Sequence, residues 1–255
     1  MTGAQLEIRG VSKHFGGLRV LTGVTFAVAS GEIVALIGPN GAGKTTLFNL
    51  INGLDRPSAG SIHLDGRDIT GVAAHRIARL GIGRTFQTPR PFLDLTAAEN
   101  VRAALLFAPP EPADSARSAR RADGADDLLI LFELSDCARV AARHLPAGRR
   151  RFLELAMTLA LRPRIVLLDE VLAGLTPGEI GRATALLRRL RDERGIGLLW
   201  VEHVMQAVME TAERIVVLHQ GEVISEGPPG AVSRDARVLA AYLGAPASAG
   251  EAIAS

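Results

Sequence analysis

The chain of 255 residues is long enough for one large domain; 47% of it is hydrophobic but only 4% aromatic, so aliphatic side chains must do most of the packing. A formal net charge of +2 without a clustered basic arm argues against a nucleic-acid binder, and the single cysteine, Cys137, excludes an internal disulfide and a thiolate metal cluster. The opening residues show no basic-then-apolar signal pattern, and nowhere do about 18 apolar residues run together, so a cytosolic setting is expected, with any membrane process served by docking onto a separate membrane chain.

In chain order, Leu6 and Ile8 alternate with polar neighbours, as do Val24, Phe26 and Val28, and both stretches predict strands. The apolar run Glu32–Ile37 predicts a buried strand ending at Gly38, and a helix from about Lys44 closes near Gly53. Lys44 stands out because 27 of the 29 basic residues are Arg; Lys13 is the only other lysine. Asp65-Gly66 after Ile62 and Leu64 is a hairpin signal. From Ala97 to about Leu106 the pattern is helical. The run Ala108–Asp127, rich in Ala, Pro, Arg and Asp, then reads as an exposed, mobile excursion within a mostly helical subdomain of about 88–162. Helical pattern resumes over Leu128–Leu134 and after Gly148. A strand at Ile165–Leu168, a helix at Pro177–Arg194, a strand at Ile196–Val201 and a helix at Val204–Thr211 follow, and Ile215–Leu218 with Glu222–Ile224 makes a closing hairpin. Strands alternating with helices imply a largely parallel α/β sheet. Residues 1–244 are read as one domain and 245–255 as a flexible tail.

The chemistry concentrates in two places. Gly38-Pro39-Asn40-Gly41-Ala42-Gly43-Lys44-Thr45, with Thr46 behind it, satisfies G-x-x-x-x-G-K-[ST] between a predicted strand and a predicted helix. Glycines let backbone N–H groups curl around phosphate oxygens, the helix N-terminus adds its dipole, Lys44 reaches the outer phosphates, and the Thr45 hydroxyl suits Mg²⁺. The second place is Ile165-Val166-Leu167-Leu168-Asp169-Glu170, an apolar strand delivering two adjacent carboxylates. Asp169 suits Mg²⁺, directly or through water, and Glu170 suits the activation of an attacking water.

Together these residues resemble the ABC ATPase superfamily over nearly the whole chain. The resemblance implies an α/β fold with a P-loop (RecA-like), mostly parallel core, an antiparallel β subdomain and an inserted α-helical subdomain. It also implies ATP and Mg²⁺ as cofactors. Phe15 stands where the family stacks an aromatic on adenine, and Gln87 matches the glutamine that senses Mg²⁺ and the membrane partner. His203 matches the switch histidine that contacts the γ-phosphate, and Ala173-Gly174-Leu175-Thr176 resembles the D-loop at the dimer interface. The catalytic set so implied is Glu170, His203, Gln87 and Lys44, and the metal set Thr45, Gln87 and Asp169. One motif departs. Where the family has Leu-Ser-Gly-Gly-Gln opening a helix, this chain has Leu145-Pro146-Ala147-Gly148-Arg149, so a hydroxyl is lost while Gly148 and the helix remain. Arg149, Arg150 and Arg151 are available to supply charge there.

Within the superfamily, His75 through Gln87 and the ending Ser225-Glu226-Gly227-Pro228 through Ala241-Tyr242-Leu243-Gly244 are similar to the branched-chain amino acid importers. That group pairs two ATPase subunits with two integral membrane permease subunits and, indirectly, a substrate-binding protein, on the cytoplasmic face of the membrane. Urea or amide importers, a lipid exporter and a nucleotide-binding subunit with little hydrolysis of its own are the alternatives. Against the last stand Glu170 and His203, since a dead site has no use for a base and a switch.

Overall fold

The structure, a computed structural model, describes residues 5–109 and 124–243. The chain opens with two long strands, β1 (Gln5–Phe15) and β2 (Leu18–Ala29), then β3 (Ile33–Ile37) and α1 (Lys44–Ile51). β4 (Ala59–Leu64), β5 (Arg67–Asp68), α2 (Ala74–Leu80) and β6 (Ile82–Arg84) lead into the helices α3 (Ala97–Leu105), α4 (Ala125–Leu131) and α5 (Ala147–Ala160). β7 (Ile165–Asp169), α6 (Pro177–Arg194), β8 (Gly197–Val201), α7 (Met205–Thr211), β9 (Arg214–His219), β10 (Glu222–Gly227), α8 (Pro229–Val232) and α9 (Ala236–Leu243) complete it.

Two sheets form. β2-β1-β4-β5 is antiparallel, whereas β10-β9-β3-β8-β7-β6 is parallel except for the edge strand β10, which pairs antiparallel with β9. The expected mixture of a parallel core with an antiparallel sheet is therefore present, and α3, α4 and α5 lie in the chain between the neighbouring strands β6 and β7.

The period-2 alternation of the central strands explains why these short apolar runs are strands and why they bury completely. In β3, Val34 and Leu36 face Leu47, Phe48 and Ile51 of α1 and the inner face of the antiparallel sheet, while Ile33, Ala35 and Ile37 face the helical side. β7 repeats the division, with Ile165 and Leu167 on the first side and Val166 and Leu168 on the second. β8 does the same with Leu199 and Val201 against Leu198 and Trp200, and β9 with Val216 and Leu218 against Ile215 and Val217. A sheet covered on both faces fixes its register, because a one-residue slip would exchange the two cores. The strand ends that carry the site are held by that register.

Some elements differ from expectation. α4 begins inside the stretch read as an excursion: the Gly124 N–H donates to Asp127 Oδ2 at 2.9 Å, so the acidic residues there start a helix. Residues 110–123 of that stretch, and the expected tail 245–255, lie outside the described residues. β6 and α8 were not predicted, because three and four residues carry no readable period, and α2 and α9 were not read as helices either. Phe48 is fully buried directly behind the P-loop, whereas Leu106 is 84% exposed. Phe48→Ala should therefore cost about 3–5 kcal/mol and lower Tm by roughly 6–20 °C, while Leu106→Ala should leave Tm within about 2 °C, both read by thermal melting.

Candidate functional site

The P-loop leaves the sheet where β3 ends, fully enclosed between β8 and β9. A side chain at Gly38 would run into the Leu218 carbonyl oxygen of β9, so the loop can start there only as glycine. Gly43 has φ +106, and a Cβ would meet Leu21 Cδ2 at 2.6 Å. The loop is thus pressed against β2 on one side and β9 on the other. α1 starts at Lys44 with no side-chain cap and no acid in its first turn, which leaves its N–H groups and positive dipole end available to an anion. Lys44 is 7% exposed, and its ammonium donates to the carbonyls of Gly38 at 2.6 Å and Pro39 at 3.1 Å. Burial pulls its pKa below the ordinary lysine value, against the opposing pull of Glu170 and Asp169. Thr45 is exposed and Thr46 half-buried beside it.

β7 brings the two carboxylates to the same end of the sheet. Asp169 is buried, and its Oδ2 accepts from Arg84 Nη2 at 3.1 Å; Arg84 Nη1 also donates to Asn49 Oδ1 of α1 at 2.8 Å. Arg84 thus joins β6, β7 and α1 at one point. Glu170 leaves the strand in the left-handed region, φ +50, a conformation that costs a non-glycine residue about 1–3 kcal/mol and redirects its side chain. Its backbone N–H donates to the Val201 carbonyl of β8 at 2.9 Å, fixing the turn. One carboxylate oxygen, Oε2, then accepts from Gln87 Nε2 at 2.7 Å, and the other, Oε1, lies 2.8 Å from His203 Nε2. With the Nε2–H tautomer, His203 is the donor. Gln87, Glu170 and His203, far apart in sequence, therefore form one hydrogen-bonded group, with Lys44 and Asp169 close enough to act on each other's charge.

Three supporting devices were not foreseen. Arg84 is one. Glu202, 2% exposed at the end of β8, accepts from the backbone N–H of Leu172 at 2.6 Å and of His203 at 2.9 Å, joining the turn after Glu170 to the segment carrying His203. Burial pushes its carboxyl above the usual range. The third device is a buried pair on α5. Arg151 donates to the carbonyls of Phe86 and Gln87, both at 2.7 Å, and Glu154 Oε1 accepts from the Phe86 N–H at 3.0 Å. Only the arginine-rich run hinted at it.

The remaining expected site residues lie elsewhere. Phe15 closes the β1–β2 hairpin opposite Leu18, half exposed. Gly148, at the start of α5, packs against the Glu179 carboxylate of α6, itself held by the N-cap Thr176. Of the three arginines there, Arg149 turns to Asp136, with bonds of 2.6 and 2.9 Å, and to the Glu133 carbonyl, while Arg151 is spent on the Gln87 segment. Two of the three are thus committed within the chain.

The profile of the ABC transporter family matches residues 21–173, and that of the branched-chain amino acid ATP-binding cassette transporter matches residues 222–248. The chain is 40% identical over 250 residues to the high-affinity branched-chain amino acid transport ATP-binding protein BraF of Pseudomonas aeruginosa, covering 94% of this chain and 97% of that one. It is 38% identical to the lipopolysaccharide export system ATP-binding protein LptB of Acidithiobacillus ferridurans, covering 94% and 96%. Among solved structures it resembles the ADP conformation of MJ1267, an ATP-binding cassette of an ABC transporter, with TM-score 0.81, 28% identity and coverage of 95% and 100%. It also resembles the dimeric post-hydrolysis state of the cassette MJ0796 bound to ADP and Pi, with TM-score 0.75, 28% identity and coverage of 88% and 98%. A P-loop opening an uncapped helix, two strand-end carboxylates and this agreement over nearly the full chain leave one assignment: the chain belongs to the ABC transporter family and is an ATP-binding cassette, an ATPase that powers transport.

Proposed function

We propose that this chain is the ATP-hydrolysing subunit of an importer for branched-chain or other hydrophobic amino acids, bound at the cytoplasmic face of the membrane to integral permease subunits and a second ATPase subunit, with a substrate-binding protein upstream. The observation that carries the hydrolytic part is the Glu170 carboxylate held by Gln87 and His203 beside Lys44. The substrate class rests on the likeness to BraF and on the C-terminal match over 222–248. The likeness to LptB at nearly the same identity supports a lipid exporter as the second reading.

In this reading the adenine stacks on Phe15, the N–H groups of the loop Gly38–Thr46 and the Lys44 ammonium take the phosphates, and Glu170 acts on the water. Thr45, Asp169 and Gln87 offer a hydroxyl, a carboxylate and an amide oxygen. These hard oxygen donors suit Mg²⁺, which takes few protein ligands and completes its shell from phosphates and water. When bound, the ion neutralises charge on the phosphate oxygens. Each oxygen of Glu170 accepts one side-chain bond here and keeps a further lone pair, so the carboxylate can be held by Gln87 and His203 and still take a water. Gln87 is in turn tied to α5, because Arg151 donates to its backbone carbonyl. Glu170 then takes the water proton as the oxygen attacks the γ-phosphorus and the bond to the ADP oxygen breaks. The permease is assigned to the apolar groove of about 310 Å³ beside this segment, lined by Phe86, Phe92, Phe107, Met157 and Leu161 together with Glu154. A permease element seated there would press directly on the segment that holds Gln87.

Lys44→Ala should abolish ATP binding measured by calorimetry. Glu170→Gln should keep binding and lose turnover by about 10²–10⁴-fold in the assembled transporter. Turnover persisting in Glu170→Gln would assign the water to another residue.

The altered signature generates a second expectation. In a head-to-tail dimer each ATP lies between one chain's P-loop and the other chain's signature helix, to which Gly148 belongs. With a partner bearing an intact signature, the site using this chain's Lys44 and Glu170 is complete. The opposite site meets Pro146, and Arg149 and Arg151 are engaged elsewhere. Loss of one hydroxyl bond to a charged phosphate is worth about 1.5–3 kcal/mol, roughly ten- to a hundredfold in rate. Disabling Glu170 should therefore remove most of the transporter's turnover and disabling the partner's glutamate little; equal losses contradict the asymmetry.

A further inference from the structure

Of the two lysines in a chain with 27 arginines, Lys44 belongs to the P-loop, and Lys13 has no place in the site as described so far. The structure puts Lys13 in an unusual setting. On β1, two residues before Phe15, it is only 9% exposed, and its ammonium lies 4.6 Å from the centroid of the Phe15 ring. The same ammonium donates to Asp55 Oδ1 at 2.7 Å and to the Arg56 carbonyl at 2.8 Å, both on the segment that follows α1. The ion pair is tight enough to hold the Asp55 carboxyl below its usual range. A cation fixed by two oxygens and centred on an aromatic ring is a mount for that ring. Phe15 itself stays 50% exposed, which leaves part of its ring open to a ligand.

The mount is also registered to the phosphate site. Lys13 pairs across the hairpin with Leu21, whose side chain is the one that presses on Gly43 of the P-loop. Asp55 and Arg56 follow α1, the helix that begins at Lys44. The ring is thus tied to both ends of the element that takes the phosphates. Arginine would not serve as well. A compact ammonium on a flexible stem satisfies two oxygens and a ring in a small buried space, whereas a planar guanidinium demands a fixed fork of acceptors.

We propose that Lys13 is a positioning residue for base recognition: anchored by Asp55 and the Arg56 carbonyl, it pins Phe15 from one side so that the free side of the ring stacks on adenine. The proposal rests on the reading of Phe15 as the adenine platform. The ammonium fixes the ring and also draws π-density from it, which lessens the repulsion between stacked π-faces.

The test is equilibrium binding of MgATP and of magnesium tripolyphosphate, which lacks base and sugar, to the full chain and its variants. Phe15→Ala should weaken ATP about five- to a hundredfold, by the strength of base–aromatic stacking, and leave tripolyphosphate unchanged. Lys13→Met should weaken ATP about three- to tenfold, again sparing tripolyphosphate, and should add nothing in the Phe15→Ala background. Lys13→Gln, which keeps N–H donors for Asp55 and Arg56 without the charge, is the second variant should Lys13→Met not fold, and the same pattern is expected of it. If Phe15→Ala weakens ATP selectively while the lysine variants weaken both ligands equally or neither, Lys13 is structural and the inference falls alone. If Phe15→Ala leaves ATP binding unchanged, the platform reading falls and the inference with it.

Discussion

The Glu170 carboxylate sits between two donors that belong to different parts of the chain, and the rest of the structure can be understood as the means of keeping it there. Gln87 approaches from the segment after β6, His203 from the segment after β8, and Glu170 itself from the end of β7. Because β6, β7 and β8 are adjacent and parallel, their C-terminal ends meet at one edge, where α/β sheets place their ligands. The left-handed backbone at Glu170 turns the side chain out of the strand direction, and the bond from its N–H to Val201 holds that turn. The strain is confined to one residue, with regular strand before it.

What keeps those strand ends in register is the double burial of the sheet. Each central strand contributes alternate residues to two cores, so a sliding strand would move its carboxylate, glutamine or histidine and exchange two sets of buried side chains at once. Polar anchors then set the fine geometry. Arg84 joins Asp169 to α1, Glu202 joins the turn after Glu170 to the segment of His203, and Arg151 with Glu154 joins α5 to the backbone of Gln87. The last anchor gives the helix that carries Gly148 a mechanical hold on a side chain touching the proposed base. Motion of α5 cannot leave Gln87 where it is.

Much of this was legible in the sequence, for a definite reason. Lys44, Asp169 and Glu170 each follow a short apolar run closely, and the end of a strand is readable from composition alone; His203 also follows such a run, but its role came from resemblance. Gln87 was placed by resemblance, since its strand β6 is three residues long and has no period to read. Arg84, Glu202 and the Arg151–Glu154 pair were not legible, because their meaning lies in partners tens of residues away. The basic run at 149–151 reads as charge available to the altered signature, yet Arg151 is buried and Arg149 is bound to Asp136. The start of α4 was misread for the opposite reason. Asp126 and Asp127 look like part of a polar loop until a helix N-terminus is seen to need them.

The central claim is that His203 acts through Glu170, as the positioner of its carboxylate, and coupling between mutations measures that directly. Single-turnover hydrolysis should be compared for His203→Ala in the wild-type background and again in Glu170→Gln, each in the assembled transporter. The account predicts that the substitution slows hydrolysis by about tenfold or more when Glu170 is present and by less than about twofold when it is absent. A full, independent loss in both backgrounds would contradict it and give His203 a role of its own on the phosphate.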